Sequence, residues 1–260
     1  MANAFYVPLA PDRFESTPAV VGPWDARLSH GSPPAALLLH AIERAFPRDD
    51  VRVGRIAYDF YGPVPATELS VATEVVRGGA RIELLRARLS AGGKTAMEAS
   101  AWRIAAQPGK VTPVADTRRP PPVPGPQAQE LFSGLSSPFG YGAALEWRFV
   151  EGSFREPGPA AVYARPRIPL VAGEASSALE RLLLLVDSAN GISAALPLDR
   201  FLFVPVELTV SVRRYPRTEW VGMRAESTID GDGIGLTRAE LFDEEGYLGV
   251  AMQTLFVAPR

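Results

Sequence analysis

The sequence predicts an α+β fold built twice, each unit a long helix laid on an antiparallel sheet, and three observations carry that reading. The chain repeats itself: Arg86-Ala87-Arg88-Leu89 matches Arg238-Ala239-Glu240-Leu241 at an offset of 238 − 86 = 152 residues, as a duplicated unit does. Each half holds one apolar run long enough for a core helix. Strand-like segments follow each helix, separated by glycine-rich pairs that suit tight hairpin turns. Two such sheets leave bare edges unless they join, so one extended sheet is expected.

The turn-rich passage Trp24–Pro34 opens the first helix, expected over Ala35–Phe46 and beginning near Pro33 or Pro34, where the missing proline N–H costs nothing. Apolar residues surround most of its circumference, so it reads as a core helix. Strands are expected at Val51–Tyr61, Glu68–Arg77, Ala80–Ala91 and Thr95–Ala105, with turns at Gly62-Pro63, Gly78-Gly79 and Gly92-Gly93. Seven prolines between Pro108 and Pro126 resist both helix and strand and read as a stiff crossing. Domain boundaries follow: residues 1–107, a Pro-rich linker at 108–135, and residues 136–260. The second unit repeats the order, with strands near Ala144–Glu151 and Ala161–Arg167 and a helix over Ser176–Ala189. Strands at Phe201–Arg214, Trp220–Ile229, Gly235–Asp243 and Leu248–Ala258 complete it.

Composition narrows the function. A hydrophobic fraction of 47%, a charged fraction of 22% and a net charge of −2 describe a soluble globular protein with no general attraction to nucleic acid or anionic membrane. The N-terminus lacks a signal-peptide pattern and every apolar stretch is interrupted, so no membrane span and a cytoplasmic location are expected. With no cysteine, disulfides, thiolate metal sites and a cysteine nucleophile are excluded. The two histidines, His30 and His40, offer no metal-ligand spacing, and no metal site is expected. A serine-hydrolase triad in the Ser, Asp, His chain order fails as well, because that order needs its His downstream, both histidines lie in the first forty residues, and no Gly-x-Ser-x-Gly elbow occurs.

The two copies differ chemically. Leu37-Leu38-Leu39-His40-Ala41 in the first helix stands against Leu183-Leu184-Leu185-Val186-Asp187 in the second, which sets a carboxylate where its counterpart has a methyl group. An anion in apolar surroundings, near the negative end of a helix dipole, is expensive unless donors meet it; a solvated Asp at a helix end is the plainer alternative. On the last strand, alternation sets Ala251, Gln253 and Leu255 on one face. If that face meets the helix, Gln253 brings an amide able to donate to Asp187 and to accept from a water; otherwise it faces solvent. At the first helix, Gly31 permits close backbone approach, and N–H groups at the helix start carry partial positive charge. Pro33 and Pro34 remove two donors and leave Gly31, Ser32 or Ala35. Arg86 with Arg88, and Arg213-Arg214 with Arg217, are basic groups that suit phosphates or solvated strand faces equally.

Taken together, His30-Gly31-Ser32-Pro33-Pro34-Ala35-Ala36-Leu37-Leu38, Arg165-Pro166-Arg167 and Leu182–Asp187-Ser188-Ala189-Asn190-Gly191 resemble the acyl-CoA thioesterase II family, in its thioesterase-like branch. Glu226-Ser227-Thr228, Arg238-Ala239-Glu240 and Val250-Ala251-Met252-Gln253 extend the resemblance over nearly the whole chain. It implies a double hotdog fold and hydrolysis of acyl-CoA or a related acyl thioester, without a cofactor other than the coenzyme A of the substrate. It assigns Asp187, Gln253 and Thr228 to holding the attacking water, and the turn of His30, Gly31 and Ser32 to the substrate carbonyl. The acyl chain is expected along a central helix, and homodimerisation through the remaining sheet edges is implied. Two other functions stand beside this one: a non-catalytic acyl-CoA binding protein, and an enoyl-CoA hydratase-like hotdog enzyme. The hydratase type needs an Asp and a His about five residues apart beside a helix, a spacing neither helix offers.

Overall fold

The computed structural model describes residues 3–114, 116–129 and 139–260. The first unit contains β1 (Tyr6–Ala10), β2 (Arg13–Ser16), α1 (Ser32–Ala45), β3 (Val51–Phe60), β4 (Glu68–Arg77), β5 (Ile82–Ala91) and β6 (Lys94–Ala105). The second contains α2 (Gly140–Ala144), β7 (Leu145–Glu151), β8 (Ala160–Pro166), α3 (Ala178–Val186), α4 (Ala189–Ile192), β9 (Phe201–Val212), β10 (Val221–Ile229), β11 (Ile234–Asp243) and β12 (Gly246–Pro259).

One sheet of twelve strands runs β1-β2-β4-β5-β6-β3-β9-β12-β11-β10-β8-β7. The order reads the same from either end once β1–β6 are matched to β7–β12, so the repeat is one of topology. The join is the antiparallel pair β3 and β9, with Arg55 opposite Ser211 and Asp59 opposite Glu207. Pairing there removes one edge from each unit, and the expected double hotdog architecture results. The hairpin β1–β2, the mate of β7–β8, is an element that the sequence reading did not contain.

Both helices lie on one face of the sheet, α1 against β4, β5 and β6, α3 against β8 and β10, and the two against each other. Leu37, Leu38, Leu39 and Ile42 of α1 and Leu182–Val186 of α3 are wholly removed from water. Each such side chain contributes roughly 1.5–3 kcal/mol of transfer free energy. The α3 start is held by a reciprocal cap: Glu180 N–H donates to Ser177 Oγ at 3.2 Å, and Ser177 N–H to Glu180 Oε2 at 2.7 Å. Glu180 Oε1 also meets His40 Nδ1 at 2.8 Å, a buried cross-tie between the helices. His40 is thus a packed structural residue.

Two helix expectations shift. The first helix starts at Ser32, capped by Gly31 without a side-chain bond. The second does not run unbroken from 176 to 189: α3 stops at Val186, Asp187 is its C-cap, and α4 resumes at Ala189. Asp187 therefore stands at a break, where its backbone and side chain are both turned to neighbours.

Of the expected linker, residues 115 and 130–135 lie outside the described residues. The rest is no free spacer. Gln127 and Gln129 serve as surrogate strand residues on the outer edge of β7: Phe149 N–H donates to Gln127 Oε1 at 2.7 Å and Trp147 N–H to Gln129 Oε1 at 2.9 Å. Their amides return bonds to Phe149 O and Trp147 O. An edge that would otherwise template pairing is thereby capped. Pro121 O accepts from Tyr163 Oη and Pro124 O from Arg148. No helix among the described residues is long and apolar enough to cross a membrane.

Candidate active site

The α3–α4 break points at the start of α1, and the polar groups of both meet at one end of an apolar cavity of about 470 Å³. Its walls come from both units, Trp24 and Phe60 from the first, Leu198, Phe203 and Phe256 from the second. Its polar end is formed by His30, Gly31, Asp187, Ser188 and Asn190. The volume falls within the ordinary range for small-molecule sites. The interface between α1 and α3 is filled by wholly buried leucines. The open apolar space is under the loops around Trp24 and the start of β9.

Asp187 is 4% exposed. Burial raises its pKa to about 7, opposed by bonds from the Gln253 side chain and the Gly31 backbone. Gln253, 0% exposed, donates through Nε2 to Asp187 Oδ1 at 2.9 Å and to Asp187 O at 3.2 Å. Its Oε1 accepts from Asn190 N–H at 3.1 Å. Asn190 in turn donates from Nδ2 to Phe203 O at 3.1 Å, fixing α4 to β9. Gln253 is therefore engaged at both ends of its amide and is not part of the cavity wall. The structure brings it to Asp187, as expected, but as the group that orients the carboxylate; the other oxygen, Oδ2, lies beside Gly31 and His30.

Thr228 is not brought to the site. It is exposed on the outer face of β10, opposite Leu236, because pairing with β11 fixes the alternation one residue away from the expected one. Ser227 takes the inner face: its hydroxyl meets Thr237 Oγ1 at 2.7 Å and Ser193 Oγ at 2.8 Å. Thr237 stands opposite Gln253 in the β11–β12 register. These hydroxyls underlie the amide and do not reach Asp187.

The donors expected at the start of α1 are spent. Gly31 N–H is turned to the Asp187 carboxylate, Ser32 N–H donates to His30 Nδ1 at 3.1 Å, and Ala35 N–H donates to Gly31 O at 3.1 Å. Pro33 and Pro34 have none. This leaves no backbone N–H of that turn for a substrate oxygen. Gly31 has φ −71°, ordinary for any residue; what requires glycine is space, since an added Cβ would run into the Asp187 carboxyl and the Phe60 ring.

His30 itself is tightly determined. Its ring stacks on Tyr141 with centroids 3.8 Å apart at 6°. Its Nδ1 lies 3.6 Å from Asp187 Oδ2, too far for a hydrogen bond. Burial pulls its pKa down to about 3, so the ring is neutral. Because Nδ1 accepts from Ser32, the ring proton is on Nε2. Tyr141, which sequence reasoning missed, binds Leu184 O at 2.7 Å, Ser188 Oγ at 2.7 Å and Ser32 Oγ at 3.3 Å, tying α3 to α1 behind His30. Ser188 and Asn190 were legible only as part of the polar run Asp187–Gly191.

The other basic candidates are occupied elsewhere. Arg86 and Arg88 pair with Glu74 and Glu98, and Arg214 is locked to Asp243. Among the described residues no group of three or more His, Asp or Glu side chains is arranged to hold a metal ion.

The duplicated sheet with paired helices on one face is a double hotdog fold, and a buried carboxylate with its amide partner lies at the polar end of its apolar cavity. The chain belongs to the acyl-CoA thioesterase family: residues 20–104 match the family's N-terminal domain and residues 115–257 its C-terminal domain. It is a thioesterase. Solved structures agree in fold. An acyl-CoA thioesterase II, TesB2, from Mycobacterium marinum is 18% identical, covers 93% of this chain and 96% of its own, and superposes with a TM-score of 0.67. The tesB protein of Mycobacterium avium subs paratuberculosis gives 14%, 98%, 96% and 0.69 in the same order. A conserved hot dog fold protein of unknown function from Alicyclobacillus acidocaldarius gives 16%, 98%, 97% and 0.73. No curated protein sequence matches the chain significantly.

Proposed function

We propose that the chain hydrolyses acyl-CoA thioesters with Asp187 as general base, Gln253 as its positioning partner and His30 as a neutral hydrogen-bond donor to the thioester oxygen. The observation that carries this reading is the buried Asp187 carboxyl at the polar end of an apolar cavity, with Oδ1 held by Gln253 at 2.9 Å and Oδ2 turned to Gly31 and His30. A water beside Oδ2 loses a proton to the carboxylate as its oxygen adds to the thioester carbon. The oxyanion accepts from His30 Nε2–H, and collapse expels the coenzyme A thiolate and leaves the acid. Thioesters are activated, so a positioned water and one or two donors suffice without a covalent intermediate. A pKa of about 7 suits a base working near neutrality. The acyl group occupies the cavity walled by Trp24 and Phe203, whose rings meet edge to face at 5.4 Å.

The test is thiol release across a panel of acyl-CoAds of rising chain length, for the wild type and Asp187→Asn. Release by the wild type and a loss of at least roughly tenfold in the variant are expected; equal rates in the two overturn the assignment of the base.

One observation favours a second reading. His30 Nδ1 and Asp187 Oδ2 are 3.6 Å apart, so the Asp and His that sequence spacing denied to a hydratase do meet in space. The Ser32 N–H on Nδ1 weighs against that ring nitrogen exchanging protons. Incubation with an α,β-unsaturated acyl-CoA separates the two: loss of the enoyl chromophore without thiol release selects hydration.

A further inference from the structure

The opposite end of the second unit carries a basic cavity of about 520 Å³, lined by Arg165, Arg167, Arg181, Arg217, Glu146 and Glu219 with Thr218 and Pro166. It is remote from the thioester site. Ser227, which lies level with Gln253 through Thr237, is six residues along β10 from Val221, beside the loop that supplies Arg217 and Glu219. Six strand residues span about 20 Å.

The charges around this cavity do not cancel. Glu146 is shared by Arg148 at 2.8 Å and Arg165 at 3.0 Å, and Glu219 meets Arg165 at 3.1 Å. Both carboxylates of the lining are thus committed to guanidinium groups. Arg217 has its own partner outside, Glu245 at 3.3 Å. Among the described residues, Arg181 and Arg167 pair with no carboxylate. Arg181 is half-buried and held only by main-chain oxygens, Ser176 O at 3.2 Å and Thr218 O at 3.5 Å, while its Nε is buried without a partner. Arg167 has no side-chain hydrogen bond or ion pair among the described residues and is exposed beside it.

A guanidinium fixed by carbonyls, with an unused N–H, is a pre-ordered fork for a tetrahedral or planar oxyanion, and a second free guanidinium beside it supplies a clamp. An unpaired buried donor is costly, and a ligand that accepts from it recovers that cost. We propose that this cavity is a binding site for a phosphate-type oxyanion, seated between Arg181 and Arg167 and separate from the thioester cavity. The same chemistry is offered by a free diphosphate and by the phosphates of a nucleotide such as the adenosine part of coenzyme A.

Titration calorimetry of the full chain with inorganic diphosphate and, separately, with adenosine 3′,5′-bisphosphate tests this. The variants are Arg167→Ala, the double variant Arg167→Ala with Arg181→Met, and Arg238→Ala, a surface arginine paired with Glu226 away from the cavity. Saturable binding of at least one probe is expected, weakened roughly tenfold or more in the double variant and unchanged in Arg238→Ala. Binding of diphosphate points to a free anion, and binding of the bisphosphate alone to a nucleotide source. Thermal unfolding and thiol release check that the variants keep their fold; should the double variant lose it, the exposed Arg167→Ala alone must weaken binding. Absence of saturable binding by both probes, or equal binding by wild type and the folded variants, overturns the proposal. Neither result bears on thioester hydrolysis, which is read by thiol release without added anion.

Discussion

Gln253 Nε2 lies 2.9 Å from Asp187 Oδ1 while Gln253 Oε1 takes the N–H of Asn190, so a single buried amide links the carboxylate at the end of α3 to the first residues of α4. The amide stabilises the ionised carboxylate through Oδ1, while Oδ2 lies on the side of Gly31 and His30. Replacing it changes both orientation and acidity. In Gln253→Ala the carboxylate loses a donor that lowers its pKa, so Asp187 titrates above its present value of about 7. The pH–rate profile of kcat/KM for thiol release should move its rising limb to higher pH, with at least roughly a tenfold lower plateau. An unmoved limb would show that the amide does not act through Asp187.

Asp187→Asn removes the base while keeping the shape. Turnover should fall by about 10²–10⁴, and the residual rate should no longer rise through pH 7. Retention of that rise in the variant would assign the titration to another group.

His30 makes the opposite prediction about pH. Its ring is neutral throughout the working range because burial pulls its pKa to about 3. His30→Phe keeps a ring to stack on Tyr141 but removes Nε2–H. The expected result is a drop in kcat of about 10²–10³, the size of one lost oxyanion donor, with the rising limb still governed by Asp187. Disappearance of that limb would instead make His30 the base.

Why the sequence anticipated the contact of Asp187 with Gln253 but not the outward face of Thr228 is a matter of which signals are local. A carboxylate ending a run of Leu and Val is visible without a fold, and the face of β12 follows from alternation across Ala251, Gln253 and Leu255. Strand parity at Thr228 is set by pairing with β11, which sequence alone does not fix. The donors of the α1 turn were counted correctly as to which residues have an N–H, yet their occupation by Asp187, His30 and Gly31 depends on tertiary approach. Tyr141 reaches His30 from α2, 111 positions along the chain, and nothing in Phe139-Gly140-Tyr141-Gly142 announces that contact. The β1–β2 hairpin escaped for a related reason: its eleven-residue window is short and interrupted by prolines, whereas its mate β7–β8 reads clearly.

Gly31 tests the packing of the two units. Its φ of −71° suits alanine, and a Cβ there would first meet the Asp187 carboxyl and the Phe60 ring. Gly31→Ala should push the carboxylate off its position, lowering kcat by roughly 10²-fold for a displacement near 1 Å. Destabilisation of about 1–3 kcal/mol, as for overpacking, should accompany it. Wild-type turnover in this variant would mean that Asp187 does not need its observed place.

Burial of acids also fixes how stability varies with pH. Asp187 and Glu43 are both raised to about 7, Asp187 mainly by desolvation, Glu43 by desolvation and then the charge of Glu180. In the unfolded chain each titrates near 4. Between about pH 4 and pH 7 the folded protein therefore holds protons that the unfolded chain has released, and stability falls as pH rises through that window, levelling above it. For Asp187 the difference is on the order of 1–4 kcal/mol. Asparagine does not titrate, so denaturant unfolding of the wild type and Asp187→Asn at pH 5 and pH 8 isolates this contribution: the wild type should lose ground relative to the variant at the higher pH. Glu43→Gln should behave in the same direction without lowering thiol release, since Glu43 lies at the far end of α1 from His30. A wild-type-to-Asn gap that does not change between the two pH values would mean that Asp187 is not desolvated in the folded protein, and the argument for its basicity near neutrality would go with it.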